Sequence, residues 1–173
     1  TGGHLFSGTT VGTDDTGERR ALLKFDIAGS VPAGANIDSA TVTLRMNKTP
    51  SFGSNNASFG LHPLTKAWGE GTVNASGQEG TGSPATNCIA NWIRSYLKNV
   101  HDWTMTGGDF VSTPSASRFI ALTLGFYDWT SAALAADVKS WLDTPADNFG
   151  WILRTDSSAL GTARRFFSRE ATV

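Results

Sequence analysis

A single cysteine, Cys88, excludes an intramolecular disulfide and a thiolate metal cluster. No stretch approaches the ~20 consecutive apolar residues of a membrane-spanning helix, so membrane insertion is not expected. The formal net charge of −1 provides no overall field to attract nucleic acid or an anionic surface. No basic stripe alternates with exposed aromatics, and nucleic acid is not an expected partner. Only three histidines are present, His4, His62 and His101, and none stands in a metal-binding or triad motif. The sequence has no GxSxG, no HExxH and no phosphate-loop motif. The chain shows no signal peptide and begins Thr1-Gly2-Gly3, as an internal or processed piece would.

What is present is a chain of 173 residues, 39% hydrophobic and carrying 19 glycines. That length suits one domain, residues 1–173, with a core of its own. Period-two alternation dominates its patterning. In "ALLKFDI", Ala21, Leu23, Phe25 and Ile27 share one face, and Leu22, Lys24 and Asp26 share the other. In "ATVTLRM", Ala40, Val42, Leu44 and Met46 point one way while Thr41, Thr43 and Arg45 point the other. Further strands are expected over Ser58–Thr65, Phe119–Trp129, Gly150–Thr155 and Arg164–Glu170. Short strands separated by turn formers imply an all-β, antiparallel β-sandwich of jelly-roll type.

Helical spacing interrupts the alternation once with clarity. Leu134, Val138, Trp141 and Leu142 lie on one face of "TSAALAADVKSWLDTPADN". Thr130 or Ser131 can cap the start and Pro145 stops the end, giving a short amphipathic helix near 131–142. A second helix is expected over 89–99, where Ile89, Trp92, Ile93, Tyr96 and Leu97 follow helical spacing. The stretch 69–87 reads as a long loop, and such loops are commonly functional or mobile.

The strings "RRALLKFDI", "SATVTLRM", "LTKAWGEGT", "WTMTGGDF", "YDWTSAALAADVKSWLDTPADNFGWILR" and "ARRFFSRE", in this order, resemble the DNRLRE-domain (disaggregatase-related) family. That family overlaps the carbohydrate-binding modules of alginate lyases. The resemblance implies an extracellular or cell-surface β-sandwich that is not an enzyme, some relatives of which bind acidic polysaccharides. It also implies a strand before "HLFSG" and an apolar strand after "SRE", and here both are missing or cut to a few residues. Arg164–Glu170 is then expected to lack a neighbour and to offer an open sheet edge.

Two functions follow as expectations. In the first, the module binds an acidic polysaccharide through its arginines. Arg154, Arg165 and Arg169 would hold carboxylates by paired hydrogen bonds, with Lys24 and Arg45 nearby and Trp103 as a stacking platform. Trp68 is a further surface candidate. In the second, the chain is a structural subunit that pairs with other copies of itself by strand donation into an extracellular filament or surface layer. A more remote reading is a polysaccharide lyase using His62, Tyr96 or Tyr127 with an arginine. No cofactor is expected. Structural calcium is a further option, with Asp14, Asp15 and Glu18 as its candidate ligands.

Overall fold

The computed structural model describes residues 2–11, 17–51, 53–72, 79, 89–96 and 101–171. Its strands are β1 (His4–Thr9), β2 (Glu18–Arg19), β3 (Ala21–Leu23), β4 (Thr41–Lys48), β5 (Ala57–Pro63) and β6 (Arg94–Tyr96). These are followed by β7 (His101–Asp102), β8 (Ala116–Ile120), β9 (Gly125–Thr130), β10 (Trp151–Thr155) and β11 (Arg164–Phe167). A helix, α1 (Ala132–Asp143), lies between β9 and β10. Five strands form one sheet in the order β2-β1-β11-β4-β9, and four form a second in the order β3-β10-β5-β8. All their pairings are antiparallel. The result is an all-β, sandwich-like fold with a single α-helix among the described residues.

Alternation explains how the sheets meet. Val42, Leu44 and Met46 of β4, Trp129 of β9 and Phe166 of β11 point into a shared core. From the other sheet come Ala21, Leu23, Phe59, Leu61, Ile120, Trp151 and Leu153. The indole Nε1 of Trp129 donates to the Phe59 carbonyl at 2.8 Å, a direct bond from β9 in one sheet to β5 in the other.

Helix α1 closes this core with Leu134, Trp141 and Leu142. Its cap is Ser131, whose hydroxyl accepts from the Leu134 N–H at 2.9 Å. The partly buried Asp137 ties the helix down, accepting from the Ser115 hydroxyl at 2.5 Å and the Trp151 indole at 2.8 Å. The helix ends at Asp143, two residues ahead of the stop that Pro145 imposes.

The two sheets differ in what covers their outer faces. Strand β10 is buried on both sides, and its Ile152 meets Leu64 and Trp103 in a second, smaller core. Phe110, Trp68 and Phe149 pack against that cluster, so residues 101–112 roof the four-stranded sheet. His62 is fully buried there, with its ring 5.3 Å from Phe110 and Nδ1 donating to the Val111 carbonyl at 3.0 Å. By contrast, Thr41, Thr43, Arg45, Phe126 and Asp128 on the outer face of the five-stranded sheet are exposed.

Several expectations need correction. The run Phe119–Trp129 is two strands, β8 and β9, which belong to different sheets because the chain turns between Ile120 and Gly125. The segment 89–96 is not helical: Ile89 bridges to Glu70, and Arg94–Tyr96 pair with β7. Residues 97–99 of that expected helix lie outside the described residues. Strand β3 ends at Leu23, which leaves Phe25 at 47% exposure while Ile27 turns back into the core. Strand β11 ends at Phe167 and pairs with β1 on one side and β4 on the other. It is therefore an interior strand without an open edge.

The buried His62 carries a testable pH dependence. Burial lowers its pKa below the ordinary histidine value, outweighing the hydrogen bond to Val111. The neutral ring is thus favoured in the fold, and protonation favours the unfolded chain. Its contribution to stability is intact above about pH 6.5 and declines as pH falls from there toward its depressed folded value. Urea midpoints measured from pH 8 to 5 should drop more steeply for the native chain than for His62→Gln. Parallel profiles would remove His62 as the cause.

Candidate functional site

The open face of the five-stranded sheet carries a row of four side chains, one from each of four adjacent strands. Cross-strand register places Phe126 of β9 opposite Arg45 of β4, and His4 of β1 opposite Phe167 of β11. Strand β11 joins the two pairs, since Phe166 lies opposite Met46. The Arg45 guanidinium stands 5.8 Å from the Phe126 ring centre and 5.3 Å from that of Phe167. The His4 ring stacks on Phe167 with centres 5.6 Å apart and planes 28° from parallel. Arg45 makes no ion pair with a described residue, and Phe126 is 71% exposed. Cation and aromatic ring hold each other in place, which pre-orders a guanidinium that still faces solvent.

Charge is distributed unevenly along the two sides of this row. Two residues along one side, Arg165 lies opposite Phe6, and its Nε donates to Asn47 Oδ1 at 2.9 Å. On the other side Asp128 accepts from the Thr43 hydroxyl at 2.6 Å. At the β1 end, His4 Nδ1 lies 3.2 Å from Glu79 Oε2. The row is therefore cationic at its centre, with Asp128 beside one edge and Glu79 at one end, and a cavity lined by Lys24, Arg169, Thr43 and Phe167 adjoins the Asp128 side.

The other expected cations are placed elsewhere. Arg169 lies just past β11, where Nη2 reaches both oxygens of Glu70 at 3.0 and 2.9 Å and Nε reaches Glu170 at 2.8 Å. The Glu170 hydrogen bond, followed by the charge of Glu70, raises its pKa above the ordinary arginine value. Lys24 lines a cavity of about 300 Å³ together with Thr43, Phe167, Glu70 and Arg169, so it stands beside the row rather than in it. Arg154 belongs to the opposite sheet. Its Nη1 contacts Asp156 at 2.6 Å, and its guanidinium lies 5.3 Å from the Phe110 ring centre. Of the six expected binding residues, only Arg45 and Arg165 share the open face.

Trp103 is corrected as a stacking platform. It is 6% exposed and its indole donates to the Asn91 carbonyl at 2.8 Å. The segment after β7 folds onto the four-stranded sheet, and Trp103 anchors it against Ile152 and Leu64. Trp68 is likewise tied inward, donating to the Phe149 carbonyl at 2.8 Å.

Among the suggested calcium ligands, Asp14 and Asp15 lie outside the described residues. Glu18 already receives two bonds from Arg20, at 2.8 and 3.0 Å. Among the described residues, no three His, Cys, Asp or Glu side chains gather into a metal-sized group. The residues considered for a lyase stand apart in role: His62 is buried, the Tyr127 hydroxyl donates to the Thr123 carbonyl, and Tyr96 packs edge-on against His101.

Phe126, Phe167 and His4 complete the row, and sequence reasoning selected none of the three as a site residue. A signal for Phe126 existed. It lies three residues from the core Trp129, an odd spacing that puts the two on opposite faces of one strand. Its membership in the apolar run "FIALTLGFYDW" obscured that phase.

No family model matches the chain, and no curated protein or solved structure matches it either, so the resemblance stands on the quoted motifs alone.

Proposed function

We propose that this chain is a non-catalytic, extracellular or cell-surface module that binds an acidic polysaccharide across the open face of its five-stranded sheet. The observation that carries this reading is Arg45, an exposed guanidinium without an ion-pair partner among the described residues, held between the rings of Phe126 and Phe167. Sugar rings present flat C–H surfaces that stack on exposed aromatic faces, and a uronate carboxylate pairs with guanidinium by charge-assisted hydrogen bonds. The chain-wide charge of −1 makes such local recognition necessary for an anionic ligand.

Titration calorimetry with uronate oligosaccharides tests it. A lost charge-assisted bond costs about 1.5–3 kcal/mol, so Arg45→Ala should weaken binding roughly 10- to 150-fold. Phe126→Ala should weaken it as well, and raising salt should weaken the native chain more than Arg45→Ala. Affinity untouched by both substitutions would sink the reading. Self-association abolished by Phe126→Ala, without affinity for any sugar, would assign the face to a second copy.

The second reading is the filament or surface-layer subunit. Its support is the pair of edge strands β8 and β9, which lie at the same side of the two sheets and exceed the opposite edges β2 and β3 in length. Phe119 on β8 is exposed beside that edge. Strand addition at these longer edges is the version the fold supports, since β11 has both neighbours. Sedimentation that stays monomeric over a wide concentration range would count against it.

A further inference from the structure

We infer that the cavity beside this face is a subsite for the terminal uronate of the polysaccharide, with Lys24 as the cation that meets its carboxylate. This rests on the reading proposed above and says which part of the polymer the module takes. The cavity lies where two strands part. Thr41–Leu44 of β4 pair with β9 on one side, but the register of β4 with β11 stops at Met46, so these residues have no described strand on the other side. Alternate residues of a strand aim their N–H and C=O groups to the same side, so groups of this stretch point into the gap without a ladder partner. Thr43 and Leu44 line the cavity from β4, and Phe167 and Ser168 line it from the end of β11. Lys24 and Phe25 come from the opposite sheet, just past the end of β3.

The lining suits one charged sugar. Of the charged side chains around the cavity, Arg169 and Glu70 hold each other, and Arg169 is also bonded to Glu170. Lys24 is exposed and makes no hydrogen bond or ion pair with a described residue, so it is the cation left for a ligand. Asp128 is not among the lining residues, and the Thr43 hydroxyl holds it. Beside Lys24, Phe25 is 47% exposed and offers an uncovered ring to the C–H surface of a pyranose. Phe167 serves only as a wall, because Arg45 and His4 already lie against its ring. It also joins the two places, carrying Arg45 on the open face and bounding the cavity of Lys24. At about 300 Å³ the cavity is at the small end of ligand pockets, and residues of five separate segments of chain surround it. It has room for the end of a sugar chain and not for a polymer passing through.

Mannuronan and polygalacturonan are the probes, each as a hexasaccharide and as a chain roughly ten times longer. Titration calorimetry reads both stoichiometry and affinity. Recognition of an end gives one protein bound per chain at either length, whereas recognition of internal units gives more proteins on the longer chain. The native protein should bind at one per chain. Lys24→Gln should weaken binding about tenfold or more at both lengths, the effect of losing a charge-assisted bond. A stoichiometry that rises with length, or Lys24→Gln within about twofold of the native affinity, would overturn the subsite. Provided Arg45→Ala still weakens the same probe, polysaccharide binding at the open face would survive that result. No measurable binding to any of these probes would overturn both readings.

Discussion

Trp129→Ala is expected to cost about 3–5 kcal/mol of unfolding free energy, the largest effect of any substitution considered for this chain. Trp129 is fully buried in the core between the sheets, edge-on to Phe166 with ring centres 6.2 Å apart. Its removal leaves a cavity walled by both sheets, which cannot collapse without shifting β9 against β5. It also removes the indole N–H bond to the Phe59 carbonyl, a link between the two sheets. Domains of this kind are stable by only about 5–15 kcal/mol, so the variant would sit near its unfolding threshold at room temperature. Trp129→Phe separates the contributions, because it keeps most of the ring and removes the bond, and should cost less. Urea denaturation followed by tryptophan-independent circular dichroism gives both values. A loss under about 1 kcal/mol for the alanine variant would mean that the sheets are not joined through this residue.

Arg164→Ala is expected to be nearly as damaging, at about 3 kcal/mol or more. Arg164 is 1% exposed, a charged side chain in the interior with no carboxylate partner among the described residues. Backbone carbonyls hold it instead. Nη1 donates to Thr162 and Ala163 at 3.1 and 3.0 Å, and Nη2 donates to Asn55 at 2.7 Å. These bonds tie the approach to β11 to the loop before β5. Burial pulls its pKa below the ordinary arginine value, yet guanidinium remains protonated under all folding conditions. Removing the cation therefore leaves buried acceptors unmet and a cavity behind. Arg164→Lys should recover only part of the loss, since an ammonium group cannot reproduce the planar fork. If lysine and alanine prove equally mild in thermal unfolding, the carbonyl network is not what holds this region.

The string "ARRFFSRE" illustrates what can and cannot be read from residue order. Alternation correctly separates Arg165 and Phe167 from Arg164 and Phe166. It does not say which pair faces the core. The outcome reverses the simple rule that arginine lies outside, because Arg164 is buried beside Phe166 while Phe167 is only partly buried. Likewise, the neighbours of β11 come from the far ends of the chain, and no local pattern announces that β1 and β4 flank it. The helix was legible for the opposite reason. Its cap, its apolar stripe and its stop all lie within about twenty residues of one another. The segment 89–96 shows the limit of periodicity, since helical spacing there was overridden by pairing with β7 and a bridge to Glu70.

Fold class and the position of α1 follow from composition and alternation, because each element's hydrophobic period is a property of a few consecutive residues. The site depends on something nonlocal. Both sheets present outward polar and aromatic residues at alternate positions, so Arg154 and Arg45 look equivalent along the chain. The segment 101–112 covers one sheet, buries Trp103 and His62, and leaves Arg154 paired with Asp156. The other sheet stays open, and cross-strand register alone brings His4, Phe167, Arg45 and Phe126 into one row. Which face a loop comes to cover is decided by packing among distant segments, and that packing separates a structural arginine from one free to meet a ligand.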